Sequence, residues 1–234
     1  MRFAPLGDRA VTITLGTTID EPTHRLVRAV SAMLDRRPPA GMTDQVAAFA
    51  SVTVHYDPLR VDPGDDPRAS PYARIVRALE RELSDITPDA LAPPRTIEIP
   101  VCYGGELGPD LDDVATRHGI TTDEVVRLHS GGDYLVYMIG FMPGFAYLGG
   151  VPEQIVTPRR TSPRTVVPAG TVGIGGQQTG IYPMDSPGGW NLIGRTPLRV
   201  FDIARESPSL LGTGDRVRFR PISLADFRRE AESA

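Results

Sequence analysis

From Tyr134 onward the chain offers only short apolar runs closed by turn residues: YLVYMI, QIVT, TVVP, TVGI, GIYP, WNLIG, LRVFDI and DRVRF. Many short strands at even spacing can bury one face each only by closing on themselves or by stacking, so this half of the chain is expected to form an antiparallel β-barrel or sandwich. It opens with TIEIPV at 96–101, carries two short helices near 110–118 and 122–130, and ends in a helix around 223–232. Gly119 and Gly131-Gly132 stop the inserted helices, and Thr121 with Glu124 has the spacing of a capping box.

The first 85 residues have a different texture. AVTITL (10–15) alternates Val11, Ile13 and Leu15 as a half-buried strand does, and residues 21–37 place Leu26, Val27, Val30, Met33 and Leu34 on one helical stripe. Pro22 suits the first turn of that helix and Pro38-Pro39 ends it. A second strand, SVTVHY (51–56), precedes a helix opened by Ser70-Pro71 that carries Tyr72, Ile75, Val76, Leu79 and Leu83. The overall class is therefore α+β: a small N-terminal α/β domain (1–85), a linker at 86–95 where ITPDALAPPR concentrates three prolines, and a barrel domain (96–234) with a two-helix insertion near 110–130.

Composition narrows the chemistry. All 25 basic residues are arginine, so an enzyme that forms a Schiff base through lysine and a nucleotide loop of the Walker A type are both excluded. A net charge of −4 without a basic tail argues against nucleic acid as the main partner. The longest apolar run, YLVYMIGF (134–141), is far short of the ~18 residues a membrane span needs. The opening MRFAPLGDRA lacks the apolar core of a secretory signal, so a cytoplasmic location is expected. A lone cysteine, Cys102, allows no intrachain disulfide, and no H-x-x-x-H or H-E-x-x-H spacing predicts a metal site.

Chemistry concentrates at 141–195, which holds 11 glycines, 7 prolines and only six charges: Glu153, Arg159, Arg160, Arg164, Asp185 and Arg195. Glycine allows close backbone approach, and the guanidinium fork matches carboxylate or phosphate, so an oxyanion-binding surface is expected. Barrel corners would ask for the same glycines and prolines without any ligand. The run Gly170–Gly180 is no dinucleotide fingerprint, because Gln178 stands where glycine is needed and the flanks read as strand on both sides. Ser186 lies outside any nucleophile elbow, and Asp185 fits turn chemistry as well as an acid/base role. His24 and His55 sit in the first domain. His118 and His129 lie in last helical turns, where an imidazolium complements the helix dipole, and His129 is close enough to the YLVYMI strand to reach a site rim.

Three motifs occur in order: Gly140-Phe-Met-Pro-Gly-Phe-Ala-Tyr-Leu148; Pro158-Arg159, Pro163-Arg164 and Val167-Pro-Ala-Gly-Thr-Val-Gly173; and Gln178-Thr-Gly-Ile-Tyr-Pro183, Ser186-Pro-Gly-Gly-Trp190 and Ile193-Gly-Arg-Thr-Pro197. With Leu6-Gly-Asp-Arg-Ala10 and Val52-Thr-Val-His-Tyr56, the chain closely resembles a family named variously 5-oxoprolinase B subunit, allophanate hydrolase subunit 1 and KipI-type kinase inhibitor. The resemblance implies a cyclophilin-like barrel after the N-terminal domain. It also implies a C-type partner subunit, in a heterodimer or heterotetramer, and an A-type partner subunit, which together open 5-oxoproline to glutamate with ATP. The alternatives are a subunit linked to allophanate hydrolase or urea carboxylase, and an inhibitor of a sensor histidine kinase.

Within the enzyme reading, Arg159, Arg164 and Arg195 are expected to clamp anions, with Gln178 and backbone N–H groups of the 170–180 turn donating to an oxyanion. Tyr182 would orient the leaving amide or move its proton, and His129 is a further catalytic candidate. Phe141, Phe145, Tyr147 and Trp190 would wall the pocket. Arg160 is expected by strand alternation to face away from Arg159. Too few carboxylates are available for Mg²⁺, so ATP with Mg²⁺ is expected at a site shared with or supplied by a partner.

Overall fold

The computed structural model describes residues 1–64, 66, 68–87 and 93–232. It divides into two compact units, Met1–Pro93 and Pro94–Ala234. The division falls inside the proline-rich segment 86–95, of which residues 88–92 lie outside the described residues. No helix among the described residues is long and apolar enough to cross a membrane.

The first unit runs β1 (Arg2–Pro5), β2 (Ala10–Thr14), α1 (Glu21–Arg36), β3 (Met42–Ala47), β4 (Ser51–Tyr56) and α2 (Pro71–Leu83). Two of its strands, RFAP and MTDQVA, were not legible as strands because charge and proline break their alternation. The sheet order is β1-β2-β4-β3, antiparallel throughout. β2 and β3 therefore run the same way with β4 between them, a split βαβ arrangement rather than simple alternation. Asp20 caps α1 by accepting from the Thr23 amide at 2.8 Å, and Ser70 caps α2 through Ala73 at 3.2 Å. The apolar stripes thus anchored bury Val27, Val30 and Leu34 of α1 and Ile75, Leu79 and Leu83 of α2 against Val11, Ile13, Val52 and Val54 of the sheet. His24 is buried with them, and burial lowers its pKa to about 4.

The second unit contains β5 (Thr96–Tyr103), α3 (Leu111–His118), α4 (Thr122–Ser130), β6 (Tyr134–Ile139), β7 (Ala146–Gly149), β8 (Arg164–Val167), β9 (Thr171–Gly175), β10 (Gln178–Ile181), β11 (Ser186–Gly188), β12 (Asn191–Arg195), β13 (Arg216–Pro221) and α5 (Leu224–Glu232). Seven strands close into a barrel in the ring order β10-β7-β6-β13-β5-β12-β9, while β8 and β11 form a separate pair. The expected all-antiparallel pattern is corrected at one seam, where β5 and β13 run parallel in register from Thr96–Arg216 to Val101–Pro221. Parity requires it, since an odd number of strands cannot alternate in direction around a closed ring. QIVT forms a 3₁₀ turn at Glu153–Ile155 instead of a strand, and LRVFDI contributes only an isolated bridge, Phe201 to Ser209.

Aliphatic side chains fill the barrel. Ile99, Val101, Val136, Leu148, Val172, Ile174, Ile181, Ile193 and Val217 share one core with Val114 and Val125 of the inserted helices. Thr121 accepts from the Glu124 amide at 3.1 Å as the capping-box spacing predicts, but the Glu124 carboxylate turns to Arg127 at 2.6 Å, so the reciprocal half is absent.

Candidate functional site

A strand alternates its side chains between faces, and the barrel wall uses both. On β9 and β10, Val172, Ile174 and Ile181 enter the core, which sends Gly173, Gly175 and Gly180 outward. Those glycines clear a floor for Trp190. A Cβ on Gly175 would stand 2.5 Å from the indole Nε1, and one on Gly180 would stand 2.8 Å from the Ala146 carbonyl and 3.1 Å from the indole. The close approach expected of this stretch is real, but an indole makes it.

Around Trp190 a second, aromatic layer has formed. Phe145 meets it edge-on at 5.5 Å between centroids, Tyr147 at 6.1 Å and Tyr182 at 6.5 Å. Val167 of β8 and Leu192 of β12 complete the cluster. Phe145, Tyr182 and Trp190 are all buried, so of the expected pocket walls only Phe141 is fully open, 60% exposed at the tip of the 140–145 turn. Its φ of 67° is unique among the described non-glycine residues. A bulky side chain in that region is held at a cost of ~1–3 kcal/mol, which the turn bonds from Met142 to Gly140 and from Phe145 to Met142 sustain. Burial holds the Tyr182 phenol above its usual range, opposed by a hydrogen bond from the Trp190 backbone and by the charges of Arg159 and Arg164.

The arginines divide sharply. Asp110, 2% exposed, accepts from Arg164 through both oxygens, Nη2 to Oδ1 at 2.7 Å and Nη1 to Oδ2 at 2.9 Å. It also accepts from Arg160 at 3.0 Å and from the Leu192 amide at 2.7 Å. Arg164 is therefore committed to a buried carboxylate. Arg160 joins Arg164 there, while Arg159 lies over Trp190; residues 158–163 are irregular, so strand alternation is not what sets these directions. Arg195 donates Nε to the Ala169 carbonyl at 2.7 Å and braces the 169–170 turn. Arg159 lies over the Trp190 ring at 5.7 Å and forms no ion pair among the described residues.

His129 is corrected most strongly. It is fully buried inside the barrel, not on a rim. Thr179 Oγ1 donates to the Gly173 carbonyl at 2.9 Å, so the same oxygen must accept from His129 Nε2–H at 2.9 Å. Nδ1 then accepts from the Tyr103 hydroxyl at 2.8 Å. With no second proton accommodated, burial lowers the His129 pKa to about 3, and the expected imidazolium at the helix end is not formed. The ring stacks on Phe219 at 4.6 Å, and Tyr134 donates to the His129 carbonyl at 2.7 Å.

Other expectations settle more quietly. Gln178 starts β10 on the same outward side as Gly180. The amides of Gly170, Thr171 and Gly176 donate to the carbonyls of Tyr182, Pro168 and Thr157, so these three cannot form an oxyanion hole. Asp185 accepts from the Ala169 amide at 2.8 Å, 16 residues away, so it ties two loops together and does not close its own turn. Ser186 Oγ is buried without a hydrogen-bond partner among the described residues, and its cross-strand neighbour is Val167 of the aromatic layer. Asp110, Tyr103 and Thr179 carry no signal in the sequence because the side chains and the Leu192 amide they meet here lie 26 to 82 residues away.

The implied ATP and Mg²⁺ do not fit these residues. Among the described residues no group of three or more His, Cys, Asp or Glu side chains converges, and the Gly170–Gly180 run is a β-hairpin with no helix N-terminus behind it.

A seven-stranded barrel with an outer aromatic layer, joined to a split βαβ unit, places this chain in a structural class, and residues 1–211 match the family described as Carboxyltransferase domain, subdomain C and D. The chain belongs to that family. It is 44% identical over 230 residues to the 5-oxoprolinase B subunit of Bacillus subtilis (strain 168), covering 98% of this chain and 96% of the relative. The crystal structure of TTHA0988 superposes with a TM-score of 0.77 at 39% identity, over 92% of this chain but only 40% of that longer chain. The Kluyveromyces lactis urea amidolyase matches with a TM-score of 0.78 at 19% identity, across 99% of this chain and 15% of its own, which is a likeness of fold alone.

Proposed function

We propose that this chain is the B subunit of a 5-oxoprolinase, which with C- and A-type partner subunits hydrolyses 5-oxoproline to glutamate. The observation that carries the reading is the similarity, along essentially the whole length of both chains, to a 5-oxoprolinase B subunit. Hydrolysis breaks the ring C–N bond, adds the hydroxyl of water to the carbonyl carbon and delivers a proton to the nitrogen. The outward face suits the binding half of that task. Arg159 receives the substrate carboxylate, while Phe145, Tyr147 and Trp190 form the wall behind it. The Tyr182 hydroxyl already accepts from the Trp190 backbone, which leaves its proton to donate to the leaving amide. Gln178 donates to the developing oxyanion. Arg164 and Arg195 serve by holding the segments that carry these groups. ATP and Mg²⁺ are assigned to the partners, because no described residues of this chain suit them.

The test is 5-oxoproline-dependent ATP hydrolysis by this chain alone and with its C- and A-type partners. Turnover is expected only in the assembled enzyme. Full turnover by the isolated chain would contradict the division of labour. Inhibition of histidine-kinase autophosphorylation, without turnover in any combination, would replace the reading with the kinase-inhibitor one.

A further inference from the structure

Asp110 occupies the N-cap position of α3, where an aspartate ordinarily accepts from the first-turn amides, yet it makes no such bond. Its carboxylate is turned instead to three partners from distant parts of the chain: Arg160, Arg164 and the amide of Leu192. The Asp110 amide also donates to the Leu192 carbonyl at 2.9 Å, which locks the residue onto β12. Asp110 is 3% exposed in its side chain, against 35% for Arg160 and 28% for Arg164, so the pairs are largely screened from water. Removing either arginine strips a donor from the buried carboxylate although the other still balances its charge, whereas removing the carboxylate leaves two guanidiniums side by side with nothing to compensate them.

Both clasped arginines follow Arg159 in the chain, Arg160 immediately and Arg164 five residues on. The Arg160 amide further donates to the Gly189 carbonyl at 2.7 Å, beside Trp190. The irregular segment 158–163 thus has fixed points on one side of Arg159 and at its far end, and none of these bonds uses Arg159 itself. We propose that Asp110 is the positioning residue of an organic-carboxylate site: by clasping Arg160 and Arg164 it stands Arg159 over Trp190, with the fork open to the ligand. The positioning stands on geometry alone, whereas the carboxylate rests on the reading of Arg159 given above.

Trp190 is the chain's only tryptophan, so its fluorescence reports this contact directly. A guanidinium over the ring shifts the energy of the indole's excited state, so the emission maximum of Trp190 reports whether Arg159 is in place. In the full-length chain at temperatures where each variant is folded, Asp110→Asn is expected to move the emission maximum to the position shown by Arg159→Gln. The double variant should shift no further, and Asp110→Glu should restore part of the change. Should Asp110→Asn not fold, Arg160→Gln and Arg164→Gln take its place with the same expectation. A wild-type emission maximum in folded Asp110→Asn, or an additive double variant, would overturn the positioning. In the assembled enzyme Asp110→Asn should raise KM for 5-oxoproline at least about tenfold. A shifted maximum with an unchanged KM would leave the positioning standing and overturn the carboxylate.

Discussion

On the inward side of β9 and β10 the wall presents Val172, Ile174, Thr179 and Ile181, whereas outward the same strands present Gly173, Gly175 and Gly180 beneath an indole. Each side contains polar groups, but they are treated differently. Inside, Tyr103, His129 and Thr179 form a chain in which every proton has an assigned acceptor, ending on the Gly173 carbonyl. Outside, among the described residues, Arg159 has only the face of Trp190 and Ser186 Oγ has no hydrogen-bond partner. A polar network closed on itself holds a fold together. Groups left with hydrogen-bonding capacity beside an aromatic wall are what a ligand requires.

The inward network should therefore matter for stability and little for chemistry. His129→Ala opens a cavity and leaves the Tyr103 hydroxyl without its acceptor, and is expected to lower stability by about 3–5 kcal/mol. Turnover per folded molecule in the assembled enzyme should stay near wild type. Chemical denaturation alongside kinetics checks both halves, and a stable but inactive His129→Ala would place the chemistry inside the barrel.

The same histidine sets a pH dependence with a definite sign. Its folded pKa of about 3 lies below the ordinary value of 6.5, so the unfolded chain takes up a proton that the folded chain refuses. Stability should be undiminished above pH 6.5 and fall as the pH drops toward 3, by about 2 kcal/mol at pH 5 from this group. His24, with a folded pKa of about 4, adds to the slope over a similar window. Denaturation midpoints from pH 7.5 to 4.5 should fall less steeply in His129→Ala than in wild type, and parallel slopes would show that His129 is protonated in the fold.

On the outward side, Gly175→Ala sets a methyl against the Trp190 Nε1 and is expected to cost about 1–3 kcal/mol while shifting the Trp190 emission. An unchanged spectrum would mean that the indole does not rest on this glycine. The smallest expected effect lies at the boundary between the two units, where limited proteolysis should cut first within 86–95 and leave a folded 96–234 fragment. Earlier cleavage throughout 96–130 would show that the boundary lies elsewhere.

Much of the fold could be read from the sequence because the signals were local. The stripes of α1 and α2, the Thr121 cap and the strands β6, β9, β12 and β13 each declare themselves within a few residues. LRVFDI did not form a strand although its pattern was right: among the described residues its backbone pairs only with 208–210, through Asp202 to Pro208, Leu210 to Val200 and a single bridge. The site was legible in its aromatic members, Phe145, Tyr147, Tyr182 and Trp190, which the structure brings together. Its arginines were not, since a guanidinium's role depends on whether a carboxylate waits 50 or 54 residues away, as Asp110 does for Arg160 and Arg164. His129 was misplaced for a related reason: the strand that follows it carries its ring inward to Thr179, across 50 residues of chain.

In the proposed function Arg159 is the side chain whose fork reaches the ligand, in preference to Arg164 and Arg195, which are bonded to Asp110 and to the Ala169 carbonyl. A fork holds both oxygens of a carboxylate, and an ammonium does not. Steady-state kinetics of the assembled enzyme carrying Arg159→Lys should show kcat/KM for 5-oxoproline lowered at least about tenfold, ~1.4 kcal/mol, with an unaltered melting temperature and normal assembly with the partners. Wild-type kcat/KM in Arg159→Lys would contradict an outward site built on this residue.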